Sequence, residues 1–463
     1  MRQHLTRFLP HVAHKQRYTH RVYLITAESQ ESRFVRYRRI IRFPQLTMPL
    51  LAAYTPDHWE VIHADEIVQD VDFDLPCDAV GITANTPASI HAYSLAAEFR
   101  KRGVKVIIGG PHATLLPEEV ARHADAAVIG EADLLWPQIL RDVEQNTLKP
   151  IYRCDTLPTL REMPSPRWDL IKGRWYGKGV TIATRGCPFA CEYCTIPQMY
   201  NRTMRYRPVS EVAHEVERMP GRALILWDDN IAANKKYAKE LFAALTPMKR
   251  WWTSQATMDC AEDDELLELA AKSGCKALFM GFETISQASL IGANKAHNNA
   301  SKFRDAIAKM HSYGIAVQAG IVFGFDEEDK TIFESTVDFY REAGLDSATI
   351  SVLIPFPNTP LFKRLDSQGR ILTRDWSKYD GKKNVVYQPA QMSPHELLMG
   401  MEWAARQFYS LDSISRRMRL SKTGLWWNIP RNIGYHLALK NFGTVGFNPA
   451  SPPFGLAPQH DAS

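Results

Sequence analysis

Two stretches of the chain repeat one pattern: a short apolar, β-branched run, then a longer segment whose apolar positions recur at helical spacing. In the first stretch the runs fall at residues 22–26, 59–63, 79–83, 104–108 and 126–129. Runs this uniformly apolar belong to strands covered on both faces, so the pattern predicts a parallel sheet with helices on either side. A second series occupies residues 180–184, 223–227, 251–256, 277–282, 315–323 and 348–354. Six strand–helix units without a break predict a partial, open (β/α)6 barrel. Beyond residue 360 the pattern turns helical, with residues 394–408 as one amphipathic helix. The expected layout is an extension (1–20), a doubly wound α/β sheet domain (21–153), a linker rich in Pro, Arg and Trp (154–178), the barrel (179–362), a helical region (363–446) and a disordered, proline-rich tail (447–463).

Composition narrows the class. At 463 residues the chain has room for two to four domains. Its formal charge of +5 is modest and scattered, which argues against nucleic acid as a partner. No apolar run approaches the roughly 18 residues of a membrane span, and the basic N-terminal stretch lacks the apolar centre of a secretory signal. Seven cysteines, an odd total, do not make a disulfide framework in a chain of this size. A reducing cytoplasm is the expected compartment.

The cysteines carry the first chemical signal. Cys187, Cys191 and Cys194 follow an apolar run and the pair Arg185-Gly186 in a CxxxCxxC spacing. Three thiolates so close together can wrap one face of an iron–sulfur cube, and a four-iron cluster with three protein ligands keeps one open iron. Zinc would need a second ligand pair, and none stands nearby. Cys77, Cys154, Cys260 and Cys275 stand singly, as small buried hydrophobes do.

Loops after barrel strands carry a barrel's chemistry. Here they hold Asp228-Asp229-Asn230, Glu283, Gly320 through Gly324, and the proline-rich turn 354–360. The paired aspartates can accept from an ammonium or cap the following helix. Glu283 needs a partner, whether ligand hydroxyls or a salt bridge to Lys295 or Arg304. The basic run 202–207 offers an arginine fork for a carboxylate. In the sheet half, the loops beyond the strand ends are Thr83 to Thr86, Gly109-Gly110 to His112, and Gly130-Glu131, where open parallel sheets bind their ligands. Small residues there admit close backbone approach, or simply make tight turns.

The cysteine loop, with Tyr193 before its third cysteine, resembles that of the radical S-adenosylmethionine (SAM) enzymes, in which SAM fills the open iron. The resemblance implies a [4Fe-4S] cluster on Cys187, Cys191 and Cys194, the SAM amino group at Asp228, Asp229 and Asn230, its ribose at Glu283, and its adenine beside Gly320 and Gly324. The run from Gly109 to Glu119, with His123 to Asp125 and Ile129 to Ala132, resembles the flavodoxin-like cobalamin-binding domain that precedes the barrel in one large subclass. That likeness implies cobalamin above Thr83, Thr86, Gly109, Gly110, His112, Gly130 and Glu131. The DxHxxG motif of cobalamin mutases is absent, since residues 27–32 read Ala-Glu-Ser-Gln-Glu-Ser. The same absence is common in the radical SAM subclass, where no histidine binds cobalt from below.

Together the likenesses cover residues 22 to about 410. They imply cleavage of SAM to a 5′-deoxyadenosyl radical and methyl transfer, by way of methylcobalamin, to an unactivated carbon or phosphorus of a small-molecule or lipid-like substrate. Flavodoxin or ferredoxin would supply electrons. A cobalamin-assisted radical cyclase without methyl transfer, and a redox or ligand sensor, remain alternative readings. Basic residues 416–422 beside Trp426-Trp427 read either as a peripheral membrane or lipid contact, or, more plainly, as a helix packed on the barrel mouth.

Overall fold

The computed structural model describes residues 18–29, 45–172 and 179–441. The tail expected at 447–463, and all but the end of the extension expected at 1–20, lie outside the described residues.

The first sheet contains β1 (His20–Thr26), β2 (Trp59–Asp65), β3 (Ala79–Thr83), β4 (Lys105–Gly109), β5 (Ala126–Ile129) and β6 (Ile151–Arg153). Its order is β2-β1-β3-β4-β5-β6, with every pairing parallel. Both faces are covered. Tyr23, Ile25, Val80 and Ile82 enter one core, while Val22, Leu24 and Ala79 pack with Trp136 in the other. This two-sided burial is why the runs show no polar alternation. Strand order reverses between β1 and β3, which opens a crevice over the Thr26 and Thr83 ends. The sequence pattern misses β6, because Tyr152 alone is buried among its three residues.

The second sheet contains β7 (Val180–Thr181), β10 (Ala223–Leu226), β11 (Trp251–Ala256), β12 (Cys275–Glu283), β13 (Ala316–Phe323) and β14 (Ser347–Val352). Between β7 and β10 lies a short antiparallel pair, β8 (Thr184–Arg185) and β9 (Arg205–Tyr206). The order β14-β13-β12-β11-β10-β7 is parallel throughout and leaves β14 and β7 unpaired with each other, the open barrel expected. The run expected as one strand at 180–184 is interrupted. Asp228 Oδ1 accepts from the backbone N–H of Ala183 (3.0 Å) and Thr184 and from the Thr184 hydroxyl (2.7 Å). A carboxylate thus replaces the neighbouring strand and turns the chain toward the cysteine loop.

Helices Pro394–Phe408, Leu411–Ser421 and Leu425–Asn441 follow the barrel. The last does not pack on the mouth as expected. Its Arg431 bonds Gln318 and Ser347, and Trp426 meets Trp251 at 5.5 Å, all at the amino ends of strands. It therefore covers the end of the barrel opposite the cysteines. The basic run before it is also part structure: buried Arg417 donates to the Leu345 carbonyl (2.7 Å) and to Asn432 Oδ1 (3.0 Å). Among the described residues no helix is long and apolar enough to cross a membrane.

Candidate active site between two sheets

The carboxyl ends of both sheets face one cleft of about 340 Å³, a small-molecule volume. Thr83, Gly109, Gly110, Gly130 and Glu131 line it from the sheet domain; Thr184, Arg185, Thr195, Met199, Tyr200, Trp227 and Asp229 line it from the barrel. Leu46, Met48, Leu50 and Leu51 make an apolar wall. Gly110 sits at φ +96°, and a Cβ there would lie 2.6 Å from Thr83 Oγ1, so only glycine lets this loop stay low beneath a ligand.

Two residues expected at cobalamin lie elsewhere. Buried His112 bonds Thr86 Oγ1 (3.3 Å) and Tyr93 OH (3.0 Å), and neither His112 nor Thr86 lines the cleft. They brace the loops from behind. Among the described residues no histidine lines the cleft. Glu131 lines the cleft, yet its carboxylate is engaged. Arg205 grips it with two bonds (2.6 and 2.8 Å) and Arg185 adds a third (2.9 Å), while Arg185 also binds Asp133 (2.7 Å). These arginines hold Glu131 below the usual carboxylate range although burial pushes it up. Two of the three arginines in the run 202–207, from which a fork for a ligand carboxylate is expected, are thus paired within the protein, since Arg207 binds Glu215 (2.7 Å).

The cysteine loop is held from both sides. Gly186, at φ +100°, has no room for a Cβ against the Thr203 carbonyl, and its N–H donates to Asp229 Oδ2 (2.9 Å). Farther along, Asn294 donates to the Ala190 carbonyl (2.8 Å), and Arg364 binds Glu192 (2.7 Å). Cys191 is buried, Cys187 and Cys194 partly so. Burial raises all three thiols, Cys194 to about 12.

The Asp-Asp-Asn motif divides its work. Asp228 is fully buried and pinned to the strand end, with Oδ2 left without a partner; burial raises its pKa to about 7. Asp229 is the member that lines the cleft. Asn230 bonds Thr257 through both its amide atoms (3.0 and 3.3 Å). Glu283, in a left-handed conformation at φ +64°, pairs with Lys295 (2.9 Å), while Arg304 binds Glu342 instead. Lys295 also reaches Tyr193 OH (3.3 Å). Burial opposes the charge of Lys295, but Glu283 and the nearby thiols outweigh it and raise its pKa. Gly320 is small because Phe279 crosses it, at 3.0 Å from a would-be Cβ. The Gly324 carbonyl accepts from Tyr387 OH (2.6 Å), and Leu397 leaves no space for a side chain there. The proline turn likewise bridges domains, with Asn358 bonding the Leu115 carbonyl. Lys295, Arg185 and Trp227 are the site residues that sequence reasoning left without a functional role.

Fold and site define a class: a doubly wound sheet domain whose glycine loops face a partial barrel that carries a three-cysteine loop. Comparison with known proteins agrees. Residues 181–340 match the radical SAM superfamily and residues 43–140 the B12 binding domain. The chain is 28% identical over 388 residues to bacteriochlorophyllide d C-12(1)-methyltransferase of Chlorobaculum tepidum, covering 81% of this chain and 84% of that one. It is also 28% identical over 375 residues to an anaerobic magnesium-protoporphyrin IX monomethyl ester cyclase of Cereibacter sphaeroides, covering 73% of this chain but 60% of that one. The structure of the radical SAM methyltransferase TsrM from Kitasatospora setae, with cobalamin and a [4Fe-4S] cluster bound, superposes with a TM-score of 0.62 at 15% identity, covering 87% and 91%. The chain thus joins a B12-binding domain to a radical SAM domain, the pairing whose cofactors are SAM, a [4Fe-4S] cluster and cobalamin, and methyltransferases are among its relatives.

Proposed function

We propose that this enzyme transfers a methyl group to an unactivated carbon of an apolar small molecule held in the cleft between the two sheets. One observation carries the reading: the glycine loops of the first sheet and the residues that flank the cysteine loop, Arg185 before it and Thr195 after it, line the same cleft, so a corrin and a SAM-bound cluster would lie at one substrate. When bound, these groups supply homolytic SAM cleavage and a transferable methyl group.

The chain's own residues do the rest. Cys187, Cys191 and Cys194 are the cluster ligands in this reading, and Asp229, beside the loop it pins, accepts from the SAM ammonium. The Lys295–Glu283 pair and Tyr193 hold a fixed charge pattern next to the thiols. Gly109, Gly110 and Gly130 let the corrin lie against backbone. Leu46, Met48, Leu50 and Trp227 exclude water from a radical and favour an apolar substrate over a charged one. Electrons come from a reduced flavodoxin- or ferredoxin-type donor.

The test is anaerobic reconstitution with both cofactors, followed by assay of 5′-deoxyadenosine and of metabolites and lipids from cells with and without the active protein. A product heavier by one methylene unit is the expected result. Deoxyadenosine with an unmethylated, cyclised or oxidised product would sink the methylation reading, and a reducible cluster that never cleaves SAM would indicate a sensor.

A further inference from the structure

Helix Leu425–Asn441 is built inside out. Its face toward the barrel is polar: Asn428 and Asn432 are fully buried, the first donating to Asp346 Oδ1 (2.8 Å) and the second to the Asp346 carbonyl (2.9 Å). Its outer face is apolar. Trp426 is 70% exposed and Leu437 51%, with Leu425, Ile429 and Ile433 exposed between them. Positions 425, 429, 433 and 437 recur every fourth residue, so they form one stripe along the helix. A surface helix in water has the opposite arrangement, apolar inward and polar outward. An apolar stripe of this length marks a surface built for an apolar neighbour.

Charge selects the neighbour. Between residues 411 and 441 there is a single carboxylate, Asp412, and Arg416 neutralises it at 3.0 Å. Arg419 and Lys422, at the end of the preceding helix, and Lys440, in the last turn of this one, stand exposed. At the rim of the stripe Trp426 contacts Trp251, whose ring lies 4.3 Å beneath the Arg222 guanidinium. Cations flanking an apolar stripe that bears tryptophan complement a bilayer with anionic headgroups: the apolar side chains enter the headgroup–acyl boundary and the cations meet phosphate.

We infer that this helix lies in the interface of an anionic lipid membrane and anchors the enzyme by the amino-terminal end of its barrel. The cofactor cleft, at the other end, then faces away from the lipid.

The experiment is co-sedimentation of the full chain with vesicles of phosphatidylcholine alone or mixed with phosphatidylglycerol. Binding to the anionic vesicles, falling as salt is raised, is expected. Leu425→Ser and Trp426→Ser should each weaken it roughly tenfold, and Arg419→Gln with Lys422→Gln by about tenfold more. These side chains are exposed, so melting curves should stay unchanged and rule out misfolding as the cause. Absence of binding, or equal binding by the variants, overturns the inference. So does a concentration-dependent dimer that Trp426→Ser dissociates, which would assign the stripe to a second copy. Vesicle binding only after deletion of residues 442–463 would make that tail the occupant and overturn it as well.

Discussion

Replacing Glu131 tests how the two halves of the molecule are joined. The carboxylate belongs to the loop after β5, and its partners Arg185 and Arg205 belong to the barrel, so three charge-assisted bonds cross between domains. All three side chains are largely buried, at 5% exposure for Glu131, 14% for Arg185 and 11% for Arg205. Removing one partner of a buried pair costs about 3–5 kcal/mol, chiefly because a charge is left without compensation. Arg185 retains Asp133, and Arg205 retains the Pro158 carbonyl and the face of the Tyr200 ring, so Glu131→Ala belongs near the lower end, about 3 kcal/mol. Glu131→Gln keeps one acceptor oxygen and should cost about 2 kcal/mol. Urea unfolding of the apoprotein, followed by circular dichroism and tryptophan fluorescence so that separate domain transitions are visible, measures both. A double-mutant cycle with Arg205→Gln should return a coupling of about 2 kcal/mol, above the 0–1 kcal/mol of an exposed pair. The pKa of Glu131 is depressed, so its contribution is complete at neutral pH and is lost as pH falls through the folded value. Additivity within about 0.5 kcal/mol would refute the idea that this cluster joins the domains.

Three further outcomes are expected. Cys191→Ala should abolish cluster absorbance and all SAM cleavage, and unchanged iron content after reconstitution would refute its role as ligand. Gly110→Ala forces a side chain against Thr83 in a left-handed backbone and should destabilise by about 1–3 kcal/mol while lowering cobalamin retention; full retention would contradict the cradle. Asp346, whose carboxylate takes bonds from His311, Val317, Ser421, Thr423 and Asn428, has a depressed pKa despite burial, so its stabilisation is present above about pH 4 and lost as pH falls through its folded value. Asp346→Ala should cost roughly 3–4 kcal/mol and release the last helix, read as increased proteolysis after residue 421.

Strands buried on both faces were legible because their apolar runs stand out, and the cysteine spacing was legible because cluster chemistry is local in sequence. What sequence could not supply was the direction of side chains in three dimensions. Asp228, Asp229 and Asn230 are consecutive, yet one supports a strand, one lines the cleft and one bonds Thr257. His112 and Thr86 sit in the expected loops but point at each other. Glu131 and the arginine run looked like ligand groups because each had unmet charge in sequence, and they satisfy one another across 74 residues. The final helix was expected on the barrel mouth, and only the strand ends it touches reveal which end it covers.

Protein bonds hold the cysteine loop at several points: Asp228 and Asp229 fix its approach, and Asn294 and Arg364 its middle. Fixing a backbone residue costs about 1–2 kcal/mol of entropy, so each loop residue that these bonds order is one that metal loading need not order.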